Sequence, residues 1–212
     1  MGVRCFMVRE TTKFRATLRR FTYSSESDCK GHKNWGHDAS SAEIGIIEGI
    51  KTADGYWDLD AAERAHMPPR DDPRWPTKCD ACDYLFQPQD CWQLFTDHIY
   101  VDDTGKEYSL RKPVPGMMWL ADWPDEYMKG PDGHTLFVVC PDGGEWCIDG
   151  QASNCTKKDD TGPYGKAHRC WVRHGTPPMI TIDKQGLTCA AGGGSIMSNR
   201  GYHGFLRNGE FT

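Results

Sequence analysis

The sequence predicts a mainly β fold with one or two short helices, rich in loops and stapled by zinc, by disulfides or by both. Three observations predict it. Only 38% of the 212 residues are hydrophobic, while 23 Gly and 13 Pro punctuate the whole length. Eight Trp, eight Tyr and eight Phe supply much of the apolar bulk, a composition suited to short strands and ordered loops gathered around aromatic anchors. Turn signals recur between short β-prone runs. So much loop is entropically unfavourable to order, and ten cysteines offer cross-links or metal ligands to offset it.

Residues 14–23 alternate poorly and read as a short helix or an edge strand. Residues 24–41 are polar and turn-rich, and this loop carries Cys29, His32 and His37. Residues 43–51 hold Ile44, Ile46, Ile47 and Ile50, a β-branched run that favours a strand, and Asp54-Gly55 then reads as a turn. A helix is expected over 60–66. Asp58 or Asp60 can cap it, Ala61, Ala62 and Ala65 fill it, and Pro68-Pro69 stops it. A Pro-rich connector, 68–78, leads into Cys79. Hairpins follow. Residues 95–101 pair with 106–110, 135–140 with 145–149, and 179–183 with 187–189. In the last, 202–206 pair with 210–211 around Asn208-Gly209, a type I′ signal. The glycine-rich stretch 190–195 reads as a link. The chain divides on this reading into an N-terminal module, 1–94, and a hairpin-rich C-terminal module, 95–212.

The strongest chemical signal is Cys79-Asp80-Ala81-Cys82. Two thiols in one tight turn reach a single ion, and such pairs are the half-sites of structural zinc centres. Two more ligands must come from elsewhere. Cys29 and His37 are the best candidates, because both lie in a polar loop; Cys91 and His98 are local competitors. Buried thiols and a redox pair are the alternatives, although the redox reading lacks a βαβ context. Farther on, Cys140, Cys147, Cys155, Cys170 and Cys189 have long, irregular gaps. They stand as a second metal site aided by His168 or His174, as disulfides, or as small core residues.

Net charge is −5, which argues against bulk nucleic-acid binding. The first twenty residues nevertheless carry Arg4, Arg9, Lys13, Arg15, Arg19 and Arg20 against Glu10 alone. A basic arm on an acidic body can contact nucleic acid or an acidic neighbour. A solvated strand face is the plainer alternative. The opening residues hold no apolar stretch of signal-peptide type, and no run approaches membrane-spanning length, so no membrane partner is expected. Cys155 or Cys170 beside His168 or His174 has the ingredients of a nucleophile and base. No recognised catalytic motif accompanies them, and a non-enzymatic protein is expected.

Two runs carry a resemblance. The first is Glu145-Trp146-Cys147-Ile148-Asp149-Gly150-Gln151-Ala152-Ser153-Asn154-Cys155-Thr156. The second is Cys170-Trp171-Val172-Arg173-His174-Gly175, continuing through Pro177-Pro178 and the segment from Asp183 to Gly192 to Tyr202-His203-Gly204-Phe205-Leu206-Arg207. With Arg4-Cys5-Phe6, Leu18-Arg19-Arg20-Phe21 and Gly36-His37-Asp38-Ala39, the chain resembles an uncharacterised family of small cysteine-rich proteins of tailed bacteriophages. The resemblance implies a phage origin and brings no catalytic residues with it. It also implies that Cys29, His37, Cys79, Cys82, Cys147, Cys155, Cys170 and Cys189 belong to the family's pattern, whereas Cys91 and Cys140 are particular to this chain. The resulting expectation is a zinc-stabilised structural or accessory protein. It would be made in the host cytoplasm, where thiols favour metal, and placed among other phage proteins or in the virion. A zinc-dependent nucleic-acid binder is the alternative, and a hydrolase a more distant one.

Overall fold

The structure is a computed structural model; it describes residues 2–23, 29, 31–32, 36–122, 124, 128–130, 132–152, 155, 169–184 and 194–212. The described chain is mainly β, with one α-helix. In order, it forms β1 (Val3–Arg4), β2 (Phe6–Met7), β3 (Arg9–Phe21), β4 (Asp38–Glu48), α1 (Leu59–His66), β5 (Cys91–Val101) and β6 (Glu107–Tyr108). There follow β7 (Met117–Ala121), β8 (Thr135–Val139), β9 (Glu145–Cys147), β10 (Val172–Thr176) and β11 (Met179–Asp183). The last four are β12 (Ile196–Met197), β13 (His203–Gly204), β14 (Leu206–Arg207) and β15 (Glu210–Phe211). No helix among the described residues is long and apolar enough to cross a membrane.

Two compact units are present. One comprises residues 10–99; the other comprises the residues up to Arg9 together with Tyr100 onward. The boundary expected between residues 94 and 95 falls inside β5.

In the unit spanning 10–99, β3 lies between β4 and β5. It is a long central strand, where the sequence suggested a short helix or an edge. The reason is visible in its burial. Phe14, Ala16, Leu18 and Arg20 face inward, while the intervening Lys13, Arg15, Thr17 and Arg19 keep solvent contact. An arginine on the inner face blurs the alternation that marks a strand. Ala16 and Leu18 pack with Trp75 and Leu94 in one core. The helix forms as expected: the Asp58 carboxylate accepts from the Ala61 N–H at 2.8 Å, closing one of the orphan donors of the first turn. The following Met67 is extended before Pro68, which ends the helix.

In the other unit, β2, β7, β8 and β9 form a sheet in that order, and β1, β15 and β14 form another. The β2–β7 pairing is parallel, with Phe6 opposite Met117. Met118, Leu136, Val138, Ile180, Leu206 and Phe211 build the main core with Cys5 and Cys140. Burial pushes the Cys5 and Cys140 thiols up to about 12, so both behave as small core residues. The Asn208-Gly209 turn has positive φ at both residues, 47° and 72°, as a type I′ hairpin requires. The strand β11 pairs with β10 across Pro177-Pro178, an upstream partner that the sequence did not announce. The expected hairpin partner, 187–189, lies outside the described residues. Trp146 and Trp171 are half-buried and meet edge to face at 5.0 Å. Phe205 is exposed, because its neighbour Leu206 takes the inward position.

A half-buried carboxylate organises the turn after β5. Asp102 accepts from Thr104 Oγ1 at 2.6 Å, Tyr108 Oη at 2.8 Å and the N–H groups of Thr104 and Lys106. The Thr104 hydroxyl bond is the main reason that its pKa is held at about 2. A carboxylate of depressed pKa stabilises the fold above its unfolded value, about 3.9, and that contribution is lost as pH falls through the folded value. The thermal midpoint should therefore drop as pH falls from about 4 towards 2. Asp102→Asn should flatten part of the drop, read as the wild-type minus variant difference so that acid release of any metal cancels. Parallel curves for the two proteins would show that Asp102 does not contribute.

Candidate metal centre

The C-x-x-C turn is held shut by its own backbone. Cys79 N–H donates to Tyr84 O at 2.9 Å, Phe86 N–H donates to Thr77 O at 3.0 Å, and Lys78 and Leu85 form a bridge beneath. Asp80 N–H donates to Asp38 O at 3.1 Å, tying the turn to the start of β4. His37 precedes that strand. Its N–H and C=O are fixed by Thr22, just past the end of β3, and its ring stacks on Tyr84 at 3.8 Å. The Tyr84 hydroxyl donates in turn to Asp90 at 3.1 Å.

These contacts bring Cys29, His37, Cys79 and Cys82 together, with ligand atoms all within 4.8 Å of one another. Cys29 Sγ lies 3.8 Å from Cys79 Sγ and 3.7 Å from Cys82 Sγ, and Cys82 Sγ lies 3.2 Å from His37 Nδ1. The sulfur separations are far beyond a disulfide bond of about 2.05 Å. Two sulfurs on one tetrahedral zinc, each about 2.3 Å from it, stand about 3.8 Å apart. The cluster can hold a metal ion.

Its electrostatics favour a cation. Burial alone would raise the Cys29 thiol, but the N–H groups of Gly31 and His32 and the neighbouring Cys79 and Cys82 more than offset this, and its pKa falls below the ordinary value. At Cys82 the Tyr84 N–H acts downward, yet burial and the sulfurs of Cys79 and Cys29 prevail and the pKa rises. Three sulfurs this close cannot all ionise cheaply. A divalent ion relieves their mutual repulsion. The Ala81 N–H also points to Cys79 Sγ at 3.5 Å.

The remaining predicted residues lie outside this centre. Cys91 opens β5 and His98 Nε2 is 2.6 Å from Thr11 O, so neither joins the centre. Cys155 and Cys170 share a small core with Trp171, and the Ala152 N–H donates to Cys170 Sγ at 3.2 Å. Burial pushes the Cys147 thiol up to about 11. Among the described residues the metal-competent groups all lie around Cys79, and no disulfide is formed. Cys189 and His168 lie outside the described residues. His174 pairs with Asp183 at 2.9 Å.

Along the predicted basic arm, Arg4 and Lys13 are exposed. Arg9 lies 3.7 Å from Asp103, Arg15 lies 3.6 Å from Glu43, and Arg19 forks onto Asp38 with Nε at 2.9 and 3.0 Å. Arg20 is buried, donates to Gln87 O at 2.6 Å and lies 3.7 Å over the Trp92 ring.

No family model, curated protein or solved structure matches the chain.

Sequence reasoning passed over one residue at the centre, His32. Its Nδ1 is 3.2 Å from Cys29 Sγ and 3.7 Å from Cys79 Sγ, and its Nε2 is 3.0 Å from Asp80. The signal was present: Cys29 and His32 have the same spacing as Cys79 and Cys82.

Proposed function

We propose that this chain is a non-enzymatic, zinc-stabilised structural or accessory protein of a tailed bacteriophage, with one Cys3His ion closing the unit spanning residues 10–99. The observation that carries the zinc reading is a converged set of three thiols and an imidazole, with Cys29 and Cys79 almost fully buried. Thiolate-rich, four-ligand sets of this kind are filled entirely by protein and leave no position for substrate, which is the hallmark of structural rather than catalytic zinc. The phage assignment rests on the resemblance carried by the runs from Glu145 and Cys170. The inward or ion-paired placement of Arg15, Arg19 and Arg20 counts against the nucleic-acid reading, because those charges are already engaged.

Elemental analysis of the purified chain tests the first part, with one equivalent of zinc expected. A preparation loaded under reducing conditions that holds no zinc removes the reading. Mass spectrometry of purified particles tests the second part. Presence of the chain is expected, and its absence eliminates the virion role.

A further inference from the structure

Two pairs of donors meet at the centre, each pair three residues apart in sequence. One is Cys79 to Cys82 and the other is Cys29 to His32. They pack face to face: a Cβ on Gly31 would lie 2.3 Å from the Ala81 Cβ, so the close approach needs a glycine. Sulfur and nitrogen ligands of one tetrahedral zinc stand about 3.5 Å apart, from bonds of about 2.3 and 2.0–2.1 Å. The His32 Nδ1 distances to Cys29 and Cys79, 3.2 and 3.7 Å, bracket that value. The outer nitrogen is 3.0 Å from the Asp80 carboxylate. A carboxylate on the far side of a ligating imidazole fixes its tautomer and raises its basicity. The Asp80 charge beside Nε2 favours the tautomer protonated there, which leaves the Nδ1 lone pair facing the sulfurs. His37 approaches from the Cys82 side, its ring held flat on Tyr84.

We propose that His32 is a ligand of the same ion, so that five donors surround a four-coordinate cation and His32 and His37 alternate as the fourth ligand. This rests on the zinc reading above. Cys29, Cys79 and Cys82 are then the invariant part of the centre, and the imidazole is exchangeable. Asp80 acts on the ion only through His32 and is a positioning residue. The site would take a soft or borderline divalent ion, zinc or cobalt.

The test uses the full chain, loaded with zinc for stoichiometry and with cobalt for its ligand-field spectrum. Wild type should bind one equivalent. His32→Ala and His37→Ala should each still bind one equivalent, with affinity reduced about ten- to a hundredfold, the scale expected of a weakened shell. Their cobalt spectra should differ from wild type and from each other. Asp80→Asn should weaken binding in the His37→Ala background, where His32 alone supplies the imidazole, and much less in wild type. Each variant is compared by far-ultraviolet dichroism, so a folding failure is seen separately, and Asp80→Asn in wild type provides the mildest probe.

If wild type binds one equivalent and His37→Ala loses the ion as fully as Cys79→Ala, the inference fails while the zinc reading stands. It also fails if His32→Ala leaves both affinity and cobalt spectrum unchanged. Two equivalents in wild type would overturn it in favour of a separate position at His32, Cys79 and Asp80. A wild type that binds no metal sinks the zinc reading, and this inference with it.

Discussion

Cys79→Ala is expected to release the ion and to unfold much of the unit spanning residues 10–99. Cys79 is almost fully buried, with its Sγ 3.8 Å from Cys29 Sγ and accepting from the Ala81 N–H at 3.5 Å, so its loss removes a ligand that bulk water is poorly placed to replace. In modules closed by structural zinc, metal-binding free energy is folding free energy, on the order of 10 kcal/mol or more in small zinc-finger peptides. This unit has a second core around Leu18, Trp75 and Leu94, which keeps the loss smaller, on the order of several kcal/mol. The effect should be concentrated near Phe86 and Ala39, which pack directly against Cys29 and Cys79. Chelation of the wild type should reproduce it. Cys91→Ala, outside the centre, should change little. Retention of stoichiometric zinc and of the wild-type melting temperature by Cys79→Ala would show that the sulfurs merely pack.

Arg173→Met should destabilise the other unit by about 3–5 kcal/mol, the usual result of removing one partner from a buried ion pair. The Arg173 and Asp149 side chains are only 6% and 4% exposed, with Nε and Oδ1 3.0 Å apart. That pair is close but not aligned as a hydrogen bond, since Arg173 Nε has no hydrogen-bond acceptor, so the attraction is chiefly one of charge. The guanidinium also reaches Asp132 at 2.5 Å and His134 O at 3.2 Å. Asp149 cannot simply turn to water, because its other oxygen receives the Leu136 N–H at 2.8 Å. Burial already raises the Asp149 pKa despite Arg173. Without the arginine it should rise further. A folded carboxyl with a raised pKa binds protons that the unfolded chain does not, so the variant's stability should fall as pH rises from about 4 through that folded value. The loss should therefore be largest at neutral pH. Adding Asp149→Asn should recover much of it, since an amide oxygen can keep the Leu136 bond without an unpaired charge. Urea unfolding measures both; a loss under 1 kcal/mol, or none of the pH dependence, would remove the argument.

Legibility from the sequence followed locality. The helix could be read because Asp58, the alanines and Pro68 all lie within one short window. The type I′ turn could be read because Asn208-Gly209 states its own backbone requirement. The metal-centre candidates were legible in part for the same reason: two thiols in one turn must point together. What closes the centre was not local. The fixing of His37 by Thr22 and of Asp80 by the Asp38 carbonyl depends on how β3 and β4 pair. The strand β7 was missed because Met117, Met118 and Trp119 are buried on both faces and show no alternation. The parallel β2–β7 pairing joins residues more than a hundred positions apart, with no turn to announce it. Arg20 was misplaced among the surface bases because a buried arginine over Trp92 has the same letter as an exposed one.

The pairing of β1 with β15 and of β2 with β7 bears on the order of events during synthesis. Residues 10–99 form one uninterrupted stretch between the segments of the other unit. A ribosome delivers that stretch complete, with the three thiols of the centre and both His32 and His37, before β7 exists. It can therefore fold and capture its ion early, as contiguous domains do during translation. Val3 must wait for Phe211, its partner about two hundred positions later. Until then the edge of β1 stays open and the core around Cys5, which includes Phe211, is unfilled, a slow step of high contact order. Residues made about two hundred positions later lock β1 in place.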